Sequence, residues 1–410
     1  MHEQQARPVL IGALLGCVLS GIACGGSAPS STTGTPASTS APAASAAHAD
    51  KTTPAASTSG DAGAGTPQLR PPPDLNLERS PRIPLAEGLT VVDAAVEELG
   101  DYEVVVRVSV PGSDRIQVSY SATLPVDGVP TELHGGRTVL TRDLQSARTY
   151  RVRWLSGRTE LAQGTTALGL SKAVFTEVRK DGRSECSLAS IEQAGTMLGA
   201  LGLGSPEYEG VLERVEQAPE PVPVVVNGQR EWLPAIHAKG TFEGLTGDVA
   251  AEFWFLDDPE NPLTLRAVIG GGRWAAVRID SPLAAADDRL EKALASDEAV
   301  DLAGIYFEFA SARLRPESDA AIAEATSVLR RHPGWRVRLE GHTDATGTAD
   351  ANLALSRARA SAVRQAILDR LGAGADRVEA AGFGQSRPRE SNSTPEGRAR
   401  NRRVEIIRVR

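Results

Sequence analysis

A segment of low complexity near the N-terminus limits where this chain can fold. Of the residues at positions 25–66, 38 are Gly, Ala, Ser, Thr or Pro, and the exceptions are His48, Asp50, Lys51 and Asp61. Such a segment has too little apolar surface to offset the entropy that is lost on ordering. We therefore predict a disordered tether over residues 24–86, with every folded domain on its C-terminal side.

The residues before the tether are typical of an export signal. Arg7 precedes an apolar stretch from Val9 to Ile22 that is too short to span a membrane and is followed by small residues. The stretch ends in Gly-Ile-Ala-Cys24, the pattern of a lipoprotein signal. We predict a signal peptide over residues 1–23 and a lipid such as palmitate on Cys24. Cys17 is an alternative lipidation site, and a plain signal with incidental cysteines is a further alternative.

Charge and cysteine content exclude several classes of protein. The formal charge of −8 argues against a general nucleic-acid binder, which needs a basic face to displace counterions from phosphates. Three cysteines form neither a disulfide framework nor a zinc site at their spacing. The third, Cys186, would need a base such as His134 or His237 to act as a nucleophile, and a lone, partly buried thiol is favoured.

The middle of the chain, from about residue 87 to residue 280, has the pattern of β-strands. β-Branched runs such as Tyr102–Val110 alternate in polarity and are separated by Gly-containing turns. We predict a β-sandwich-like domain over residues 87–172, and a second β-rich region with a linker over residues 173–299. The run Gly270-Gly271-Gly272 leads into another strand pattern, so it predicts a hairpin and not a phosphate-binding loop. No catalytic constellation is found in this part of the sequence.

The C-terminal part, residues 300–410, alternates between strand and helix patterns. Ile305, Phe307 and Phe309 are predicted to share one face of a strand, and Pro316 marks a helix start. Further strands are predicted around Val337, from residue 378 and from residue 404, with a second helix beginning near Asn352. The whole chain is therefore predicted to be multidomain: a disordered tether, a β-rich middle region and a C-terminal α/β sandwich with the order βαβαββ.

One charged residue in the second helix lies on its apolar side. With Leu355 taken as zero, Arg359 falls at about 40°, inside the arc of Ala362, Val363 and Ala366. Arg357 and Arg364 are predicted to face solvent. A guanidinium in an apolar arc must be paired or must line a cleft, and Asp344 in the preceding loop is the nearest acidic partner. The residue types leave open whether the two form a structural ion pair or together bind a ligand that carries both charges.

Ordered motifs in the same part of the sequence resemble the OmpA-like peptidoglycan-binding domain. These motifs are Gly341-His342-Thr343-Asp344, Asn352-Leu353-Ala354-Leu355-Ser356-Arg357-Ala358-Arg359-Ala360, Gly382-Phe383-Gly384, Asn392 to Ala399, and Asn401-Arg402-Arg403-Val404-Glu405. The resemblance covers about residues 300–410. It implies non-covalent binding of the diaminopimelate of peptidoglycan, with Asp344 taking its ammonium and Arg359 its carboxylate.

The resemblance also suggests supporting ligand contacts, which are Phe309, Ala310, Thr346, Asn352 and Arg403. Ala310 departs from the family pattern, because the peptidoglycan-associated lipoprotein branch usually has an acidic residue there. His342 is interpreted as a buried histidine that supports the loop, since no nucleophile is evident nearby. No metal site and no cofactor are expected, because the ligands of a calcium loop around Asp344 and Asp350 are incomplete.

These features predict a non-enzymatic outer-membrane lipoprotein that faces the periplasm and links the envelope to peptidoglycan. The partners expected are peptidoglycan, the outer membrane through the lipid anchor, and an unidentified envelope protein through residues 87–280. An alternative is an envelope sensor or recruiting protein, with the β-rich middle as its working part and the wall-binding domain as anchor. A cell-wall hydrolase would need a catalytic site in the middle, and a flagellar stator would need a preceding membrane helix.

Overall fold

The computed structural model of the chain describes residues 70–409, apart from 98–99, 127–128, 153–158, 162, 190–206, 245–246, 282–288 and 373–374. The predicted signal peptide, Cys17, Cys24 and most of the predicted tether lie outside the described residues. No helix among those described has both the length and the apolar composition required to cross a membrane.

The middle of the chain is built mainly of strands, as the sequence predicts. The strands are β1 (Thr90–Glu97), β2 (Gly100–Ser109), β3 (Arg115–Val126), β4 (Val129–Leu140), β5 (Thr149–Arg151), β6 (Thr159–Leu161), β7 (Thr165–Thr166), β8 (Arg183–Ala189), β9 (Glu207–Arg214), β10 (Glu220–Val226), β11 (Gln229–Glu243), β12 (Val249–Leu256), β13 (Thr264–Ile269) and β14 (Gly272–Asp280). Two helices accompany them, α1 (Thr141–Ser146) and α2 (Lys172–Asp181).

These strands hydrogen-bond into one path, in the order β6-β4-β3-β2-β1-β14-β13-β12-β11-β9-β8-β5-β7, with β10 beside β11 and β14. β1 pairs antiparallel with β14, so strands from residues 87–172 and from residues 173–299 share a sheet. The sequence predicts a separate sandwich over residues 87–172, but this pairing joins the first strand of the middle region to its last. The periodicity of a strand predicts which of its faces is buried, but it does not identify the distant strand with which it pairs.

Two details of the middle region bear on the sequence predictions. The hairpin at Gly270-Gly271 is confirmed, because Ile269 pairs with Gly272 and both loop glycines have positive φ.

The C-terminal end of the predicted tether, however, is ordered against the sheet. Ile83 is fully buried in the core, and its carbonyl accepts a hydrogen bond of 2.7 Å from Asn261 Nδ2. Burial of this one apolar side chain favours order where the composition alone predicts disorder.

Cys186 lies inside the middle region, on β8. It is buried, and burial raises the pKa of its thiol to about 12. The ring nitrogens of His237 are taken by Glu220 and Glu252, at 2.8 and 2.7 Å. The thiol is therefore held in its unreactive, protonated form, in agreement with the interpretation as a lone buried cysteine.

The C-terminal part of the chain forms a separate sheet with helices packed on it. Its elements are α3 (Arg289–Ala295), β15 (Val300–Asp301), α4 (Asp319–Arg331), β16 (Arg336–His342), α5 (Ala349–Leu371), β17 (Val378–Gly384), α6 (Pro395–Asn401) and β18 (Val404–Val409). The sheet order is β15-β18-β16-β17; β16 and β17 are parallel, and the other neighbours are antiparallel.

The order of elements differs in detail from the predicted βαβαββ. The segment that contains Ile305, Phe307 and Phe309 forms only an isolated bridge between Phe307 and Leu314, and the first strand is β15 instead. Ile305 is buried, but so is its neighbour Tyr306, while Phe309 is 56% exposed. Tyr306 is buried because the middle sheet covers it. The polarity pattern of the neighbouring residues does not predict such a long-range contact. A further helix, α6, lies between the last two strands.

Two glycines let α5 approach the sheet closely. A Cβ atom added at Gly341 would lie 2.2 Å from the carbonyl oxygen of Ser356, and one at Gly382 would lie 2.3 Å from the backbone nitrogen of Arg357. The Ser356 hydroxyl accepts a hydrogen bond of 2.9 Å from the Gly384 N–H at the same crossing. This close crossing places Arg359, one turn of helix further on, near the loop that follows β16.

We expect Gly341→Ala to lower the free energy of unfolding by about 1–3 kcal/mol, because the added methyl group forces the helix away from the sheet. Gly334→Ala is the matched control, since a Cβ atom at Gly334 meets nothing within 4 Å. Urea unfolding of both variants measures the difference. Equal loss of stability in the two would contradict the close-packing argument.

The C-terminal domain is docked on the middle sheet. Val92, Ala94 and Val277 of the sheet share a buried apolar cluster with Tyr306 and Ala399 of the domain. The Tyr306 hydroxyl also donates a hydrogen bond to a carboxylate oxygen of Asp280. The docked face carries the loops that are described next.

Candidate functional site

Asp344 lies in the loop between β16 and α5 of the C-terminal domain. Its side chain is only 10% exposed. One carboxylate oxygen, Oδ1, accepts a hydrogen bond of 2.8 Å from the Thr346 N–H, which fixes the rotamer. Thr348 caps the helix that follows by accepting from the Ala351 N–H. The loop thus holds a nearly buried carboxylate in a defined orientation.

Arg359 lies on α5. It is half-buried, its Nε donates to the Ser311 carbonyl at 3.0 Å, and its guanidinium carbon lies 4.9 Å from the centre of the Phe307 ring. The pKa of Arg359 is lowered to about 10, chiefly by burial and also by Arg402, while Glu103 and Asp344 partly oppose this effect. A cation that is desolvated and incompletely compensated favours an additional anion.

The helix is rotated slightly from the predicted orientation. Its buried residues are Asn352, Ser356, Ala360, Val363 and Ile367, so the inward stripe is not centred on Leu355. Arg359 flanks this stripe, and Arg357 is exposed as predicted. Arg364 was predicted to face solvent, but its Nε donates to the Val378 carbonyl at 2.6 Å. A long arginine side chain reaches the sheet edge from a position that a helical wheel assigns to the outside.

Asp344 pairs with a different arginine. Within the described part of the chain, its ion-pair partner is Arg402, and no ion pair joins Asp344 to Arg359. Arg402 also donates from Nη2 to Glu103 Oε1 of β2 at 2.6 Å. Burial alone would lower the pKa of Arg402, but Glu103 and Asp344 outweigh burial and raise it. Two carboxylates, from Asp344 and Glu103, and two guanidiniums, from Arg402 and Arg359, therefore form one charged cluster.

The sequence analysis missed two members of this cluster, Arg402 and Glu103. It assigned the neighbouring Arg403 to the ligand site, but the structure does not bring Arg403 there. Arg403 is buried on the opposite side, where its Nε donates to Glu405 Oε1 at 2.5 Å. Arg402 and Arg403 both lie between α6 and β18, so strand periodicity does not decide which of the two side chains meets Asp344. No sequence signal pointed to Glu103, which comes from a distant strand.

Three of the predicted ligand contacts, Phe309, Ala310 and Thr346, have exposed side chains. Ala310 has a φ of 47°, a left-handed conformation that a non-glycine residue adopts at a cost. It precedes Ser311, whose carbonyl accepts the hydrogen bond from Arg359. The role of these three residues as ligand contacts stays a prediction.

Asn352 is buried below the loop. Its Nδ2 donates to the carbonyl oxygens of Asp344 and Thr346, at 3.2 and 3.0 Å, and to Gln385 Oε1 at 2.7 Å. The side chain is therefore engaged in holding the loop that presents Asp344. Its place in the fold is that of a positioning residue.

His342 lies on the buried side of the same loop and is 2% exposed. Its ring stacks on Phe383, with 5.5 Å between the ring centres, and its Nε2 lies 3.7 Å from Glu405 Oε1.

The ligand atoms of Glu340, His342 and Glu405 are close enough to hold a metal ion. Arginines already pair with both carboxylates, and these are Arg338, Arg387, Arg389 and Arg403. Four guanidiniums around two carboxylates disfavour a cation at this position.

We expect stability to fall in mild acid because of His342. The pKa of this imidazole is lowered from 6.5 to about 4, chiefly by burial and also by Arg403, while Glu405 partly opposes them. The unfolded chain therefore binds a proton that the folded protein excludes. Its contribution to the free energy of unfolding is complete above pH 6.5 and is lost as the pH falls toward 4. The loss over this window is up to about 3 kcal/mol, at about 1.4 kcal/mol for each pH unit.

Urea unfolding between pH 4 and pH 7 measures this dependence, and His342→Gln should flatten it. His134→Gln is the control, because the His134 side chain is 65% exposed. An unchanged pH slope in His342→Gln, with a normal fold, would contradict the assignment.

The geometry can now be set beside known proteins. Residues 306–402 are an OmpA family domain. Over 101 residues the chain is 41% identical to outer membrane porin F of Pseudomonas aeruginosa, a match that covers 25% of this chain and 29% of the porin. It is 40% identical over 102 residues to the probable lipoprotein YiaD of Escherichia coli, covering 25% of this chain and 46% of that protein. It is 39% identical over 103 residues to the peptidoglycan-binding protein ArfA of Mycobacterium bovis, covering 25% of this chain and 31% of that protein.

The resemblance to the OmpA family is thereby confirmed for the C-terminal domain. The chain spans less than half the length of each of these relatives, and the matches each cover about a quarter of the chain. Their names denote a porin, a probable lipoprotein and a peptidoglycan-binding protein, and none of the three denotes an enzyme.

Proposed function

We propose that this protein binds peptidoglycan without cleaving it, through the charged cluster that contains Asp344 and Arg359. The ligand is the zwitterionic end of diaminopimelate in the stem peptide. Asp344 accepts its ammonium, and Arg359 binds its carboxylate through two parallel hydrogen bonds.

The incomplete compensation of Arg359 carries this proposal. Its guanidinium is half-buried, and among the described residues its hydrogen bond is to the Ser311 carbonyl, through Nε. The two terminal nitrogens of a guanidinium form the fork that matches a carboxylate. An amino acid with both charges also meets the fixed carboxylate of Asp344. The exposed Phe309 offers apolar surface to the rest of a stem peptide.

The charge of the domain agrees with an anionic polymer as ligand. Residues 300–410 contain 19 Arg, no Lys and 14 acidic residues, whereas the rest of the chain is strongly acidic. A positive domain on an acidic chain directs encounters with the cell wall toward the binding face.

The location follows from the N-terminal sequence. We propose a lipid on Cys24 that holds the protein in the outer membrane, facing the periplasm, with the low-complexity segment as a tether to the wall-binding domain. Because the chain is ordered against the sheet from about Leu77 onward, the tether has about 50 residues, for which random-coil scaling gives a relaxed span of about 35–42 Å. This reach allows membrane attachment and wall binding at the same time.

Sedimentation with purified sacculi tests the wall-binding proposal directly. The mature protein should co-sediment with sacculi that contain diaminopimelate and should be released by free meso-diaminopimelate. Sacculi that carry lysine at the same position of the stem peptide are the control, because lysine lacks the terminal carboxylate. Equal binding to both kinds of sacculi would contradict recognition by Arg359.

A second candidate function rests on a cleft in the middle region. The cleft has a volume of about 510 Å³, and its apolar lining includes Leu85, Val110, Ile116, Leu144 and Leu168. We propose, as the alternative, an envelope sensor or recruiting protein whose middle region binds a protein partner here. Cross-linking in cells, with Val110→Arg as the comparison because Val110 is 39% exposed, should then lose one specific product while sacculus binding is unchanged.

A further inference from the structure

A strand of the middle sheet reaches into the proposed ligand site. Glu103 lies on β2 and accepts a hydrogen bond of 2.6 Å from Arg402 Nη2, while the same guanidinium pairs with Asp344 through Nη1. A carboxylate of the middle sheet therefore holds the arginine that occupies Asp344. Glu103 also opposes the lowering of the pKa of Arg359.

The pair formed by Arg402 and Glu103 carries the same two charges as a zwitterionic amino acid. Its guanidinium takes the place of the ligand's ammonium on Asp344. Glu103 holds this guanidinium in place through the hydrogen bond to Nη2. The ligand's ammonium must displace the guanidinium of Arg402 before Asp344 can bind it.

Neighbouring contacts hold β2 in this place. Asp101, two residues before Glu103 and therefore on the same face of the strand, forms an ion pair with Arg398 of α6. Arg315 of the C-terminal domain donates to the Ser121 hydroxyl on β3, the strand that pairs with β2. The apolar cluster around Tyr306 lies under the same interface. Glu103 is thus presented by a docked domain and not by a freely moving side chain.

We propose that the middle sheet restrains the wall-binding site, because Glu103 holds Arg402 on Asp344 as an internal competitor for the ligand's ammonium. The inference rests on the proposed function. Ligand binding then requires β2 to give up the contact between Glu103 and Arg402, so wall binding and docking of the two domains oppose each other. Binding to diaminopimelate thereby loosens the docked face and makes the middle region sensitive to wall attachment.

The test is sacculus binding by the full chain. Glu103→Gln keeps the shape and removes the charge, and we expect it to bind diaminopimelate sacculi about three- to tenfold more tightly than the wild type. Asp101→Asn, which touches neither Asp344 nor Arg359, should shift affinity in the same direction, because it weakens docking of the same strand. Glu209→Gln is the matched control, since Glu209 is exposed on β9, away from the interface.

Hydrogen exchange supplies a second measurement. Addition of meso-diaminopimelate to the wild type should speed exchange at residues 100–109, where β2 contacts the site. In Glu103→Gln the exchange should already be fast without the ligand.

The outcomes separate this inference from the proposed function. If wild type and Glu103→Gln bind sacculi equally, or if Glu103→Gln binds more weakly, the competitor role is overturned while wall binding stands. Weaker binding by Glu103→Gln alone would make Glu103 a ligand contact. If no variant binds sacculi, the proposed function fails, and the inference fails with it.

Discussion

Replacing either Asp344 or Arg359 with alanine should abolish or severely weaken sacculus binding while the domain stays folded. Each substitution removes one contact to the ligand and leaves the opposite ligand charge without a partner. The expected loss is on the order of 2–5 kcal/mol. Co-sedimentation measures the loss, and thermal unfolding followed by circular dichroism checks the fold.

Two further variants sharpen this experiment. Arg359→Lys should also bind poorly, because an ammonium keeps the charge and loses the two-pronged geometry for a carboxylate. Arg357→Ala, exposed on the same helix, should bind like the wild type. Arg364 is unsuitable as a control, since it is bonded to the sheet through the Val378 carbonyl. Wild-type binding by both alanine variants, or loss explained wholly by unfolding, would return the two residues to a structural role.

The second large effect concerns the anchor. If Cys24 is the acylated residue, Cys24→Ala should leave the protein unlipidated and soluble in the periplasm. Fractionation of cells and labelling with a fatty acid analogue measure this change. Acylated, membrane-bound protein from the Cys24→Ala variant would instead assign the lipid to Cys17 or to another anchor, and Cys17→Ala is the matched comparison.

If docking of the two domains opposes wall binding as inferred, the Asp344 and Arg359 variants also bear on docking. Asp344→Ala removes one partner of Arg402 and leaves its bond to Glu103, so the domains should stay docked although the ligand is lost. Arg359→Ala also leaves that bond in place. Loss of binding in either variant therefore does not require the domains to separate.

Much of the C-terminal domain was predictable from local periodicity. The alternation from Arg336 to His342 and the helical repeat after it each depend on neighbours within a few residues, and both elements formed. The motif that contains Asp344 and the fifteen-residue spacing to Arg359 identified two members of the charged cluster. Ile305 to Phe309 was the exception, because its burial depends on contact between Tyr306 and the middle sheet.

The sequence by itself determined the strand-rich middle, the order of the later C-terminal elements and the choice of Asp344 and Arg359, since each follows from nearby residues or an ordered motif. Tertiary structure alone decided that β1 pairs with β14, that Arg402 and not Arg403 meets Asp344, and that Glu103 stands beside them. Glu103 and Arg402 are separated by 299 positions in the chain. Their contact depends on how two folded domains pack, and residue periodicity carries no information about partners at that distance.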